Sequence, residues 1–335
     1  MNTSKYYYYF FSSIFLVIYV VFLTFMPNDW FRDRENYLIY AGSAESIQKL
    51  YSGLYFYFNE PLFLKINSFS SSFFDYKVIP QFFVFFISFT FCFNLMKNSK
   101  TIIVYILGII LLLTIPYIIQ SQLVALRQGL ATAIFMWGFL SFKDEKKVAV
   151  LILICAFIHS IYFLIFFFYC INFIFFKNLD FNRKLFFNSV GMICFSIFSI
   201  AVVRFFGLRQ GEEYSENFNQ GSGGAFILFV FVFVYLLVYG SKENKRLYDF
   251  SILGVLLFLS AYFLTPIAGR FFNTIAPFVV LLLVQRSRLI DILFLLFLSI
   301  IFVTLMFLST YTSLLTIPDS IFINSFFNYL EGIYS

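Results

Sequence analysis

The chain has 335 residues, 61% hydrophobic and only 12% charged, with a mean hydropathy of +0.88. A water-soluble domain of this size cannot be built with so little charged surface, so the solvent is a bilayer. The net charge of +6 implies no nucleic-acid partner, because Lys and Arg fall in short turns between apolar runs, where cytoplasmic anchoring explains them.

A bilayer core of about 30 Å takes roughly twenty apolar residues per helix. In chain order such runs are 6–26, 78–96, 101–119, 123–142, 148–176, 185–206, 225–240, 251–266, 271–285 and 289–308. They predict an all-α, polytopic integral membrane protein of about 10–11 transmembrane helices, forming one membrane domain over residues 1–335. The first run is followed by Pro27-Asn28-Asp29-Trp30 without a small-x-small cleavage site, so it is expected to stay as an uncleaved anchor. Residues 27–77 are too long and too polar for a simple connector and form an external segment; 207–224, rich in Gly and Ser, form an external loop. Cys92, Cys155, Cys170 and Cys194 all lie in apolar runs without metal-ligand or redox spacing and read as small core residues.

Orientation follows from the short basic turns. Lys97 with Lys100, Lys143 with Lys146 and Lys147, Lys242 with Lys245 and Arg246, and Arg286 with Arg288 are expected on the cytoplasmic side. Ten simple crossings put 242–246 on the wrong side, so one element must be irregular. The run 148–176 is the natural one, because 29 residues as a single helix rise about 43 Å, longer than the core. A break near His159-Ser160, with the chain entering and returning, restores the rule for every later turn.

Within 123–142 stands Arg127, an ionisable residue in a membrane-length run and so a functional candidate by default. As one helix, this stretch sets Gln120, Arg127 and Ala131 on one face, with Ala125, Gly129 and Ala133 as a small-residue strip for close approach. The remaining polar groups come in short patterns: Asn36-Tyr37 with Tyr40, Glu60-Pro61, Arg127-Gln128, His159-Ser160 and Gly269-Arg270. Asp33 and Glu35 alternate as a metal ligand pair would, but flanking arginines argue against a metal. Glu60 precedes proline, which predicts an extended backbone at that residue.

In order and spacing these patterns resemble the EpsG family, Wzy-like polymerases of bacterial surface polysaccharides such as O-antigen, capsule or exopolysaccharide. The departure is Asn36, where the family is expected to prefer aspartate. The resemblance implies a membrane glycosyltransferase that joins oligosaccharide repeat units carried on undecaprenyl diphosphate at the outer face of the bacterial cytoplasmic membrane. Its partners would be that lipid-linked glycan, the bilayer, a chain-length regulator and other polysaccharide-assembly proteins; no cofactor and no metal is implied. Arg127, Arg270 and Arg209 suit the diphosphate, whose developing charge calls for guanidinium forks. Glu60 is the first choice for the base that takes the sugar hydroxyl's proton and His159 the second, with Arg127 at the reacting centre. Asp33, Asn36, Tyr37, Tyr40, Gln128 and Glu212 are the candidate sugar contacts. Two rivals are a glycan-modifying membrane acyltransferase, which calls for a histidine near the first helix, and a flippase or transporter for lipid-linked oligosaccharide, which calls for an internal repeat. Neither feature is evident in the sequence.

Overall fold

The computed structural model describes residues 3–50, 59–205, 223–308 and 314. Among these, the chain forms fourteen α-helices and no strand. The first eight are α1 (Thr3–Thr24), α2 (Arg34–Leu50), α3 (Pro61–Ser71), α4 (Ile79–Asn98), α5 (Ile102–Thr114), α6 (Pro116–Leu123), α7 (Leu126–Ser141) and α8 (Glu145–Ala156). Then follow α9 (Ile161–Tyr169), α10 (Phe181–Phe205), α11 (Gly223–Tyr239), α12 (Lys245–Ala261), α13 (Ile267–Leu283) and α14 (Leu289–Phe307).

Among the described residues, three helices are long and apolar enough to cross a bilayer, Lys5–Thr24, Ile79–Asn98 and Leu289–Phe307. Of these α4 is mostly buried by its neighbours, whereas α1 and α14 leave most of their length for lipid. A fourth candidate is α5 with α6, bent by 71°. The expected count of ten to eleven crossings therefore draws on shorter helices, such as α11 and α13, whose 17 residues each rise about 26 Å.

Two expected straight runs are broken, and the breaks have local causes. Ile115, ahead of Pro116, is extended at φ −74°, ψ 120°, which ends α5. After Leu123 the chain turns tightly, the Leu126 amide donating to the Val124 carbonyl at 3.0 Å, before α7 begins. Gln120 therefore sits on a different helix from Arg127 and Ala131 and does not share their face. The small-residue strip works as expected at Gly129: a Cβ there would lie 1.9 Å from the Ser121 carbonyl oxygen, so α7 folds back against α6 at backbone distance. Gly129→Ala is expected to destabilise the fold by about 1–3 kcal/mol or more, since the obstacle is backbone and cannot rotate away. A thermal-stability comparison in detergent checks this, and an unchanged melting temperature would contradict the close approach.

The run 148–176 is a helical hairpin. Phe157 to Ser160 break it, and the Tyr169 hydroxyl at the end of α9 bonds the Glu145 carboxylate at the start of α8, so both ends lie together. A π-helical stretch, Cys170–Phe175, continues the returning arm. The hairpin supplies the irregular element that the charge rule demands.

The basic turns do collect at one end of the bundle. Lys100 pairs with Glu243 at 3.1 Å, and Arg246 reaches Glu145 at 3.6 Å and the Phe139 carbonyl. Gln285 bonds Asn98, while Arg286 and Arg288 both donate to the Tyr239 carbonyl. Between the ends the helices interlock through aromatic rings, Phe135 and Phe139 of α7 meeting Phe250 of α12 and Phe278 of α13 with centroids 5.0–5.5 Å apart. Van der Waals packing of this kind, and not water exclusion, holds helices together in lipid. The single-face arrangement of the basic turns gives a direct test of orientation. In a background with Cys170 and Cys194 replaced by serine, Lys143→Cys is expected to resist a membrane-impermeant maleimide in intact cells and Asn36→Cys to react. Reversed labelling would invert the assignment.

Candidate active site

At the end opposite the basic turns, three breaks in the chain come together. The elbow between α6 and α7 starts α7 at Leu126, the hairpin tip carries His159 and Ser160, and Glu60 caps the start of α3. The segment that carries α2 and α3 binds them to one another. Leu62 donates its amide to the Phe157 carbonyl at 3.0 Å, fastening α3 to the hairpin tip.

One turn of α2 secures the elbow. Arg34, 1% exposed, donates from Nε to the Leu123 carbonyl at 2.6 Å and from Nη1 to Asn28 Oδ1 at 2.8 Å. Three residues later the Tyr37 hydroxyl accepts the Arg127 amide at 3.4 Å. The last carbonyl of α6 and an early amide of α7, both orphaned by helix geometry, are thus satisfied by neighbours on α2. The sequence reading passed over Arg34; the signal it offered was an arginine three positions before a tyrosine, on one helical face.

Glu60 has left-handed backbone, φ 56° and ψ 50°, not the extended conformation expected ahead of Pro61. Its carbonyl begins α3 by accepting the Phe63 and Leu64 amides, but extended residues do the same at other helix starts here, such as Thr101 ahead of α5, so the cap alone does not demand the left-handed backbone. Left-handed backbone at a non-glycine residue costs of order 1–3 kcal/mol and clusters at functional sites. The strain aims the side chain away from its own helix. Oε2 meets Arg127 Nη1 at 2.5 Å, Oε1 accepts the Ser160 amide at 3.3 Å, and His159 Nδ1 stands 3.8 Å from Oε1. Burial pushes the Glu60 carboxyl above its ordinary value, against the opposing pull of the Arg127 guanidinium and the Ser160 amide.

Glu60, Arg127 and Ser160 line a hollow of about 180 Å³ together with Tyr40, Asn59, Phe63 and Leu64, and His159 lies next to this lining through its contact with Glu60. The Arg127 guanidinium lies over the rings of Tyr40 and Tyr37, at 5.3 and 5.9 Å. Its Nε is buried without a partner among the described residues.

Arg270 opens α13 with its side chain exposed, and its charge reaches His159. The start of α13 is held against the start of α7 by Gln128, whose Nε2 donates to the Arg270 carbonyl at 2.5 Å and to Thr274 Oγ1 at 3.1 Å. The Gln128 Oε1 accepts from Asn273 at 3.4 Å, and the residue is 2% exposed. Expected at a sugar, Gln128 has both ends of its amide occupied within the protein and serves as the clamp between two arginine-bearing helices. Tyr37 is likewise buried beneath Arg127, so it supports the guanidinium and leaves Tyr40 as the ring that faces the hollow. Asp33 and Asn36 are exposed on α2 and its entry, bonded to each other at 3.4 Å and outside the lining of the hollow. Arg209, Glu212 and most of the expected loop 207–224 lie outside the described residues. The structure thus gathers Arg127, Glu60, His159, Tyr37, Tyr40, Gln128 and Arg270 with Ser160 of the His159-Ser160 pattern, and adds Arg34 and Asn273, which were not among the candidate site residues.

Chemically the site offers one guanidinium–carboxylate pair, its carboxylate on strained backbone, bordering a polar hollow, with the second guanidinium of Arg270 outside the lining. Such a set can hold a diphosphate and take a proton from a hydroxyl. A family model, that of the EpsG family, matches residues 6–331. No curated protein and no solved structure matches the chain.

Proposed function

Because the chain belongs to the EpsG family, a Wzy-like polysaccharide polymerase family, we propose that it joins lipid-linked oligosaccharide repeat units into a longer glycan. The donor in this reading is an oligosaccharide on a polyprenyl diphosphate, such as undecaprenyl diphosphate, and the reaction is glycosyl transfer at the outer face of the bacterial cytoplasmic membrane. The observation that carries it is the meeting of Arg127, Glu60 and the hairpin tip around one hollow at the end away from the basic turns.

The acceptor hydroxyl attacks the anomeric carbon, and the bond from that carbon to the diphosphate oxygen breaks with its electron pair leaving on the diphosphate. Glu60 takes the hydroxyl proton. Arg127 alone is neutralised by Glu60, so the net positive charge that the diphosphate meets comes from Arg270, at the neighbouring helix start. Remaining donors of the Arg127 fork then reach the same phosphates. Tyr40, whose ring borders the hollow, is placed to stack against a sugar. A chain-length regulator and other assembly proteins would act on this enzyme from outside the site.

The test is reconstitution. Purified protein in liposomes, given the lipid-linked repeat unit of its own source, is expected to produce a ladder of glycan lengths on a gel and to release polyprenyl diphosphate in proportion to the bonds formed. Release without lengthening, or transfer of an acyl group in place of a sugar, would overturn the polymerase reading.

A further inference from the structure

We infer that His159 works as a neutral hydrogen-bond donor through Nε2 toward the oxygen of the leaving diphosphate, and not as the base. The inference rests on the polymerase reading and assigns roles within that site.

The two candidate bases differ in what their acceptor atoms already do. Two successive amides at the hairpin tip are divided between them: Ser160 donates to Glu60 Oε1 at 3.3 Å, and Ile161 donates to His159 Nδ1 at 3.2 Å. A neutral imidazole has one acceptor nitrogen and one N–H. With the Ile161 amide pointing at Nδ1, that nitrogen is the acceptor, so the proton sits on Nε2. The ring's only lone pair for proton abstraction is therefore engaged by the backbone. Glu60 is in the opposite position. Its two oxygens provide about four lone-pair sites, of which the Arg127 Nη1 contact and the Ser160 amide use two. Among the described residues none takes up His159 Nε2, and the imidazole keeps 18% of its surface open.

In the transfer the proton of the attacking hydroxyl goes to Glu60, the glycosidic pair of electrons leaves on the diphosphate, and His159 transfers nothing. Its N–H strengthens its bond to the leaving oxygen as charge develops there. The local frame is built for this: Phe157 is pinned by Leu62 and His159 by its own Ile161 amide, so the ring is oriented by backbone on both sides.

His159 is the only histidine in the chain, which makes the ring directly readable. Protein labelled with ¹⁵N-histidine and reconstituted in lipid nanodiscs is expected to show a protonated Nε2 and an unprotonated Nδ1 near neutral pH. A proton on Nδ1, alone or with Nε2, would overturn the assignment. Activity supplies a second arm through side-chain reach. H159Q, whose amide N–H replaces Nε2–H, is expected to keep polymerisation within about tenfold of wild type, while H159N and H159A lose about 10²-fold or more. Equal loss in all three would sink the donor role. Absence of polymer from the wild type would instead overturn the polymerase reading, a result separable from the spectrum.

Discussion

Arg127→Ala is expected to abolish long glycan chains while single repeat units persist on their lipid carrier. Two losses combine in this variant. Removing the guanidinium strands the Glu60 carboxylate, whose side chain is 11% exposed, with only the Ser160 amide for company. Breaking a fully buried pair by deleting one partner costs about 3–5 kcal/mol, because the other charge stays behind; with the Arg127 side chain 34% exposed, solvent screens this pair and the expected cost is smaller. It also deletes a fork aimed at the phosphates, and removing one such stabilising donor lowers turnover by about 10²–10³. Two companion variants separate stability from chemistry. Arg127→Lys keeps a charge for Glu60 but not the planar fork, so it is expected to restore thermal stability and leave chain extension deeply impaired. The double variant with Arg127→Ala and Glu60→Gln removes both charges and is expected to fold better than Arg127→Ala alone, yet remain inactive. Normal ladders from any of the three would take Arg127 out of the mechanism.

The bundle was largely legible because its signals are additive over many residues. Twenty-residue apolar runs, and basic turns that had to share one side, predicted a polytopic helical protein. The same charge rule located the irregular element at 148–176, which the structure forms as a hairpin broken at Phe157 to Ser160. What the periodicity could not show is where an apolar run bends. Runs of Ile and Leu read alike whether straight or folded, so neither the bend at Pro116 nor the elbow at Val124 and Ala125, which separates Gln120 from Arg127, was visible. The α2 grip on that elbow was hidden for a related reason, since Arg34 is 89 residues from Leu123 and nothing local marks the partner.

The site was legible by residue type and less so by role. Arg127, Glu60 and His159 stood out because charged or ionisable side chains among apolar residues need a reason to be there, and all three meet. Gln128 and Tyr37 stood beside motif residues and were taken for ligand contacts. Both are consumed in holding the arginine-bearing helices, a role that depends on burial and on partners more than a hundred residues away in the case of Gln128. At Glu60 the local rule for a residue before proline gave the wrong backbone, because it takes no account of the Arg127 and Ser160 contacts, 67 and 100 residues away, that the side chain makes from the left-handed form. Such conflicts between local preference and the realised conformation are expected where function requires strain.

Glu60→Gln makes the strongest claim on the chemistry, because it preserves shape and one acceptor for Arg127 while removing the base. Loss of a general base lowers turnover by about 10²–10⁴, and since removing the Glu60 charge frees that of Arg127 for the phosphates, the apparent KM for the lipid-linked donor is expected to hold or fall. The pH dependence carries the sign. Burial raises the Glu60 carboxyl above the ordinary value of 4.5, so its proton is held to higher pH than on an exposed glutamate. A base must be unprotonated to act, so wild-type turnover is expected to fall as pH drops through that raised value, and the residual turnover of Glu60→Gln to lack this limb. Glu60→Asp should fail as well, because a side chain one methylene shorter cannot span the 2.5 Å contact to Arg127 and the 3.3 Å contact to Ser160 from the same strained backbone. Were Glu60→Gln to polymerise at the wild-type rate with the acid limb intact, the proton would have to leave by another group. With Nδ1 of the single histidine engaged by the Ile161 amide, no other side chain in contact with Glu60 among the described residues offers a ready acceptor, and the strained carboxylate at the head of α3 would be left with its pairing to Arg127 alone.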